Sequence, residues 1–173
     1  KLIQEFIKAA EVATATVEVI PTDANELNKA LVKAIDTEES ILFAQPDDLS
    51  KELFSEFVTN PKVVNKPTNE QLSTIKCGVT DAFGGVAATG SVCVSVTKNL
   101  TSPVSMLTRK HIVVVDSKSI VPRPRDVLSE EYLEGKGLRR SFSFITGSSA
   151  TADMGPLVRG VHGPGRLHII ILD

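Results

Sequence analysis

Two stretches of this sequence, residues 111–115 and 167–172, are apolar at every position but one, and that continuity excludes most ways of folding the chain. A strand with one face in water alternates apolar and polar residues. One that is apolar throughout has to be covered on both faces, as happens when helices cross over a parallel sheet. The first half supplies the pattern that such a sheet needs. Leu2, Ile3, Phe6, Ile7 and Ala10 recur at helical spacing, which predicts a packing helix within residues 1–14. Residues 15–20 read as a strand ended by Pro21, and Asp23 with Glu26 opens a helix that turns Leu27, Leu31 and Ile35 inward. The alternation continues with a short strand at 41–44 and a helix opened at Pro46 with Leu49, Leu53 and Phe57 inward. A brief strand at 62–64 follows, then a helix started by Thr68 and Gln71. The expectation is an α/β fold with a mostly parallel sheet and helices on both faces.

The second half holds more strand. Residues 77–80 and 91–96 read as strands, and in the latter Val92, Val94 and Val96 share one face while Ser91, Cys93 and Ser95 share the other. After the apolar strand at 111–115 come a turn at 116–119, a helix at 124–133 stopped near Gly135, and strands at 141–146 and 166–172. Arg123, Arg125, Lys136, Arg139 and Arg140 bracket that helix and read as a solvated face.

Length and composition narrow the function. With 173 residues, 42% hydrophobic and 23% charged, the chain is read as one globular domain spanning 1–173. Its formal net charge of -2 supplies no global field for nucleic acid or anionic lipid, so any anion site has to be local. No apolar run approaches the roughly 18 residues of a membrane span, and residues 1–15 carry charges every few positions, unlike a signal peptide. Cytoplasm is the expected location. Cys77 and Cys93 lie in apolar strand patterns without C-x-x-C spacing, so the chain is not expected to hold an iron–sulfur cluster itself. Its three histidines lack paired spacing, and no metal site is predicted.

Three segments place glycine and small polar residues beside a strand. In residues 78–91, glycines allow tight turns and close backbone approach, so free N–H groups with the hydroxyls of Thr80 and Thr89, next to Gly90, could hold a carboxylate or phosphate. A hairpin that needs glycine explains the same residues, and neither nucleotide-binding glycine fingerprint is present. In residues 146–153, a strand running into Gly147, Ser148 and Ser149 and then into a helical turn would aim N–H donors and a positive dipole end at an anion. Thr151 adds a hydroxyl, and Asp153 caps the turn or accepts from a ligand hydroxyl. In residues 159–166, His162 beside Gly163 is the histidine placed to act as general acid or base, with Asp81 as a second candidate, whereas His111 and His168 read as structural.

These segments resemble the LUD domain of lactate utilization proteins, through residues 78–91, 107–115 and 145–172. The motifs are Thr89-Gly90, His111-Ile112, Thr151-Ala152-Asp153 and Gly160-Val161-His162-Gly163-Pro164. The resemblance implies a three-layer fold shared with sugar-phosphate isomerases, CoA transferases and formyltetrahydrofolate cyclo-ligase. It also implies a role in oxidising L-lactate to pyruvate beside iron–sulfur partner proteins, with a small anionic ligand held by this chain. A homo-oligomer, and whether the chain is itself catalytic, stay open. So does the alternative of an independent enzyme acting on a sugar phosphate, CoA ester or folate-like substrate. Where the family has Glu before Thr-Gly this chain has Ala88, and where it has Gly-Pro-Ser-Arg or Lys this chain has Gly147-Ser148-Ser149-Ala150. Met154-Gly155 likewise departs from the Asp-Ile pattern and the Glu or Gln that often follows it, so a carboxylate and a cation are missing from expected places.

Overall fold

The structure, a computed structural model, describes residues 1–97, 99–134, 141–153 and 155–173. The readings that involve Gly135, Lys136, Arg139, Arg140 and Met154 fall outside the described residues. In chain order the first half runs α1 (Leu2–Val12), β1 (Thr16–Ile20), α2 (Ala24–Ala34), β2 (Ile41–Phe43), β3 (Val63–Val64), α3 (Asn69–Thr74) and β4 (Cys77–Ala82). The second half adds β5 (Gly84–Val86), β6 (Ser91–Ser95), α4 (Thr101–Leu107), β7 (Lys110–Asp116), β8 (Ile120–Val121), α5 (Pro124–Val127) and α6 (Glu130–Glu134). It ends with β9 (Phe142–Thr146), β10 (Ala150–Thr151), β11 (Val158–Arg159) and β12 (Arg166–Leu172).

Six strands form one sheet in the order β1-β12-β7-β4-β2-β3, and every neighbouring pair is parallel. The apolar strands β12 and β7 lie inside it in register, with Ile169 opposite Val113 and Ile171 opposite Val115. One face is covered by α2 and by two 3-10 turns, where Leu27, Leu31, Phe54 and Phe57 pack on Phe43, Ile112, Val114 and Ile170. The other face is covered by α1 and a four-stranded sheet of order β8-β5-β6-β9, with Phe6, Val92, Val113, Ile169 and Ile171 in the shared core. The result is the expected three-layer α/β arrangement.

Two helix starts are confirmed in atomic detail. The Asp23 carboxylate accepts from the N–H groups of Asn25 and Glu26, and Thr68 with Gln71 forms a reciprocal capping box. Two expectations need correction, and one helix was not foreseen. The helix opened at Pro46 is a pair of 3-10 turns, Lys51–Phe54 and Phe57–Thr59. Phe54 and Phe57, three residues apart, are the fully buried anchors, and that interval matches a 3-10 turn better than an α-helix. The helix expected at 124–133 is two short ones, broken where the Ser129 hydroxyl accepts from the Tyr132 N–H and restarts the winding. Helix α4 had no sequence signal, because its N-cap is Leu100, in a left-handed conformation at φ 67° and without a capping side chain.

Candidate functional site

The loops that follow β9 and precede β12 fold onto each other at the amino-terminal edge of the main sheet. Gly147 starts the first loop at φ +63°, where a Cβ would lie 1.8 Å from the Ala13 carbonyl oxygen, so only glycine lets the loop seat against the end of α1. The Ser149 N–H then donates to the Pro164 carbonyl at 2.8 Å, and the Gly160 N–H donates to the Ser149 carbonyl at 2.9 Å. The Ser148 hydroxyl donates to the Thr14 carbonyl, which fixes the pair to the chain entering β1.

A cavity of about 230 Å³ opens on one side of this loop pair, lined among others by His111, Thr146, Gly147, Ser149, His162 and Gly163. His162 is exposed at its mouth, whereas His111 is fully buried on β7. The His111 Nε2 lies 2.8 Å from the Thr80 hydroxyl, and among the described residues Nδ1 has no partner. Burial pushes the pKa of this imidazole down to about 3, so it is neutral at physiological pH.

On the other side, towards α2, lies a larger cavity of about 460 Å³. Among the described residues four cations border it, Lys33, Lys110, Arg159 and Arg166, against two acids, Glu18 and Asp36. His168 stands in its wall with Nδ1 2.7 Å from the Thr16 hydroxyl and Nε2 3.5 Å from a Glu18 carboxylate oxygen. Burial lowers the His168 pKa, with Lys110 and Lys33 adding to the fall and Glu18 opposing it. The Lys110 ammonium donates to the Ala34 carbonyl at the end of α2, and Arg166 lies 3.9 Å from Glu38. Lys33 reaches Glu18 at 3.5 Å. Leu167 lines both cavities, so the loop pair and the start of β12 form their common wall.

The structure therefore gathers some of the residues singled out from sequence and separates others. Gly147, Ser149, His162 and Gly163 share the smaller cavity, and Thr80 reaches it through His111. Ser148 faces the larger one. Thr89 and Gly90 lie in the β5–β6 turn against α1, with the Thr89, Ser91 and Thr146 hydroxyls linked in a chain at 2.6 Å steps. Gly90 stands at φ +64°, and a Cβ there would meet the Ala10 backbone nitrogen at 2.1 Å. Thr151 and Asp153 belong to a surface β10–β11 hairpin, in which the Asp153 N–H contacts the Thr151 hydroxyl at 3.4 Å.

Several corrections follow. The segment after Ser149 enters a hairpin instead of a helical turn, so no helix dipole points at a ligand there. Nor are the Gly90, Ser149 and Gly160 N–H groups free for an anion, since they are spent on the Val86, Pro164 and Ser149 carbonyls. The loop pair also sits at the amino-terminal edge of the sheet, opposite the carboxyl ends of the strands where open α/β sheets generally hold ligands. The two acid/base candidates are not brought together, for Asp81 lies away from His162. It faces the α2 side of β4, three residues or roughly 10 Å along the strands from the level of His111. There its carboxylate accepts from the N–H groups of Asp48 at 2.7 Å and Leu49 at 2.9 Å. Burial raises its pKa against the effect of those hydrogen bonds.

Sequence reasoning missed Lys33, Lys110 and Arg166, and read His111 and His168 as structural. Lys110 and Arg166 meet because they are register partners on β7 and β12, a pairing that no local pattern announces. Among the described residues no three His, Cys, Asp or Glu side chains cluster as a metal site would, and no helix is long and apolar enough to cross a membrane.

Known proteins share both this sequence pattern and this fold. The family model of the LUD domain matches residues 1–172. The chain belongs to the LUD domain family. Relatives named lactate utilization protein C include one from Bacillus subtilis, 32% identical over 100 residues, which are 56% of this chain and 42% of the relative. Another, from Halalkalibacterium halodurans, is 32% identical over 108 residues, 60% of this chain and 47% of its own length. The match thus spans less than half of each of these relatives. Among solved structures, a DUF162 family protein from Deinococcus radiodurans superposes with a TM-score of 0.75 at 19% identity, covering 99% of this chain and 96% of that one. At that identity the likeness speaks for the fold alone.

Proposed function

We propose that this LUD domain serves lactate utilization as a subunit or accessory protein, holding a small anionic ligand beside partners that carry iron–sulfur clusters. The pathway is carried over from the relatives named above. The ligand class rests on one observation of this molecule, the larger cavity: four cations face two acids in a chain whose formal net charge is -2. A carboxylate of lactate or pyruvate size fits that chemistry. Arg159 and Arg166 offer planar forks, Lys110 a point charge from the strand edge, and Thr16 and Ser148 neutral hydroxyls. The partners are argued from the thiols. Cys77 and Cys93 are buried in separate cores, and burial pushes both up to about 12, far from the thiolate form that ligates a cluster. Electrons taken from lactate beside this chain would pass to another protein.

The test is calorimetric titration of the chain with L-lactate, pyruvate and phosphate at two salt concentrations. Saturable binding that weakens with salt is expected, and Lys110→Gln or Arg166→Gln should each weaken it about tenfold. Equal binding by both variants would refute the cavity assignment. Lactate oxidation by the isolated chain, without any cluster protein present, would refute the accessory role.

A further inference from the structure

The smaller cavity is chemically unlike its neighbour. Among the described residues no Lys, Arg, Asp or Glu lines it, and its one titratable group besides His111 is His162 at the mouth, so an ion taken in beside His111 would go unpaired, which is strongly unfavourable. Its deepest polar group is His111, 0% exposed, whose Nδ1 is unpartnered. Buried polar nitrogens are nearly always bonded, so an unpartnered one on a ring that lines a cavity marks a place for a ligand atom.

The neighbouring hydroxyl fixes what that atom is. Thr80 is also 0% exposed, and among the described residues its Oγ1 pairs with His111 Nε2. Were Nε2 to donate to Thr80, the Thr80 O–H would itself be left without an acceptor in the core. When Thr80 donates to Nε2, both groups are satisfied and the ring proton resides on Nδ1. That tautomer makes Nδ1 a neutral N–H donor on a residue that lines the cavity. A neutral imidazole is consistent with the absence of charge around it, and burial holds the ring in that state. Phe144 and Met106, 40% and 50% exposed, contribute apolar surface to the lining. A volume of about 230 Å³ is below the roughly 300 Å³ at which drug-sized pockets begin, so the guest is small.

We propose that this cavity binds a small uncharged molecule, or the uncharged end of a larger one, through a carbonyl oxygen that accepts a hydrogen bond from His111 Nδ1. The site is independent of the anion cavity and shares only the wall at Leu167 with it.

The test is long-range ¹H–¹⁵N correlation spectroscopy of histidine-labelled protein, with lactamide and nicotinamide as neutral probes and L-lactate as the anionic one. The His111 proton is expected on Nδ1, and lactamide or nicotinamide should shift that resonance saturably, while lactate moves His168 first. His111→Phe, which keeps a ring but has no donor, should weaken lactamide binding about tenfold. If that variant fails to fold, Thr80→Val serves instead, since it removes the hydroxyl that places the proton and should move it off Nδ1. A proton found on Nε2 in the wild-type chain overturns the proposal. So does a His111 resonance that neither neutral probe moves, the result expected if water alone fills the cavity. Lack of lactate binding would leave these outcomes unchanged, because it is read at His168 and the basic side chains.

Discussion

Asp81 offers the sharpest separation of a structural carboxylate from a chemical one. One of its oxygens, Oδ2, accepts both the Asp48 and the Leu49 N–H, and so pins the chain that leaves β2 to the middle of the sheet. Asp81→Ala would orphan both donors at about 1–1.5 kcal/mol each, a loss of about 2–3 kcal/mol, or roughly 4–12 °C in Tm for a domain of this size. Asp81→Asn keeps a carbonyl oxygen for both donors and removes a buried charge, so at pH 7 it should be at least as stable as the wild type. The pH dependence follows from the raised pKa. Because the folded state holds its proton above the ordinary value of 3.8, it binds more protons than the unfolded chain across that interval. Stability contributed by Asp81 is therefore full below 3.8 and declines as pH rises through the folded value. The advantage of Asp81→Asn should open over the same interval and then stay constant. Urea unfolding of the three proteins side by side from pH 4 to 8 measures this. An Asn variant as unstable as the Ala variant at pH 7, or an advantage that grows towards acid, would refute the reasoning.

Gly147→Ala should destabilise by more than 1 kcal/mol, because the left-handed backbone and the Ala13 carbonyl leave no place for a methyl group; a thermal melt within 1 °C of wild type would contradict that. His111 should make the chain acid-sensitive. Its folded pKa of about 3 lies below the ordinary 6.5, so stability is full above 6.5 and is lost as pH falls towards 3, by up to about 1.4 kcal/mol per pH unit. His111→Gln should flatten that part of the stability curve, and an unchanged slope would mean that the ring is more hydrated than its burial implies.

Much of the fold was legible because it is written in local patterns. The apolar runs of β7 and β12, the Asp23 cap and the Thr68–Gln71 box each contain their own instruction. Helix α4 does not, since nothing in Leu100 or Pro103 announces a start and its place is decided by Val104 packing in a small core with Leu42, Ala44 and Ile75. The site was legible only in part, for the same reason. Gly147, Ser149, His162 and Gly163 are marked by composition, and they do converge. Lys110 with Arg166 is a register pair, and Thr80 reaches His111 from two residues along the neighbouring strand; the alignment of strands that are distant in sequence is a tertiary fact. The helix expected after Ser149 failed because a Gly/Ser loop suits a hairpin as well as a helix N-terminus, and the Ser149–Pro164 pairing selects the hairpin.

The place of β1 has a consequence for biosynthesis. Its neighbour in the sheet is β12, and the Thr16–His168 contact spans 152 positions. During translation the backbone donors and acceptors of β1 stay without their sheet partner until residues 166–172 leave the ribosome, so the nascent chain carries an open strand edge while every residue between the two strands is made. Early crosslinking of nascent chains to trigger-factor-type chaperones, released once β12 emerges, is the behaviour that such a topology imposes.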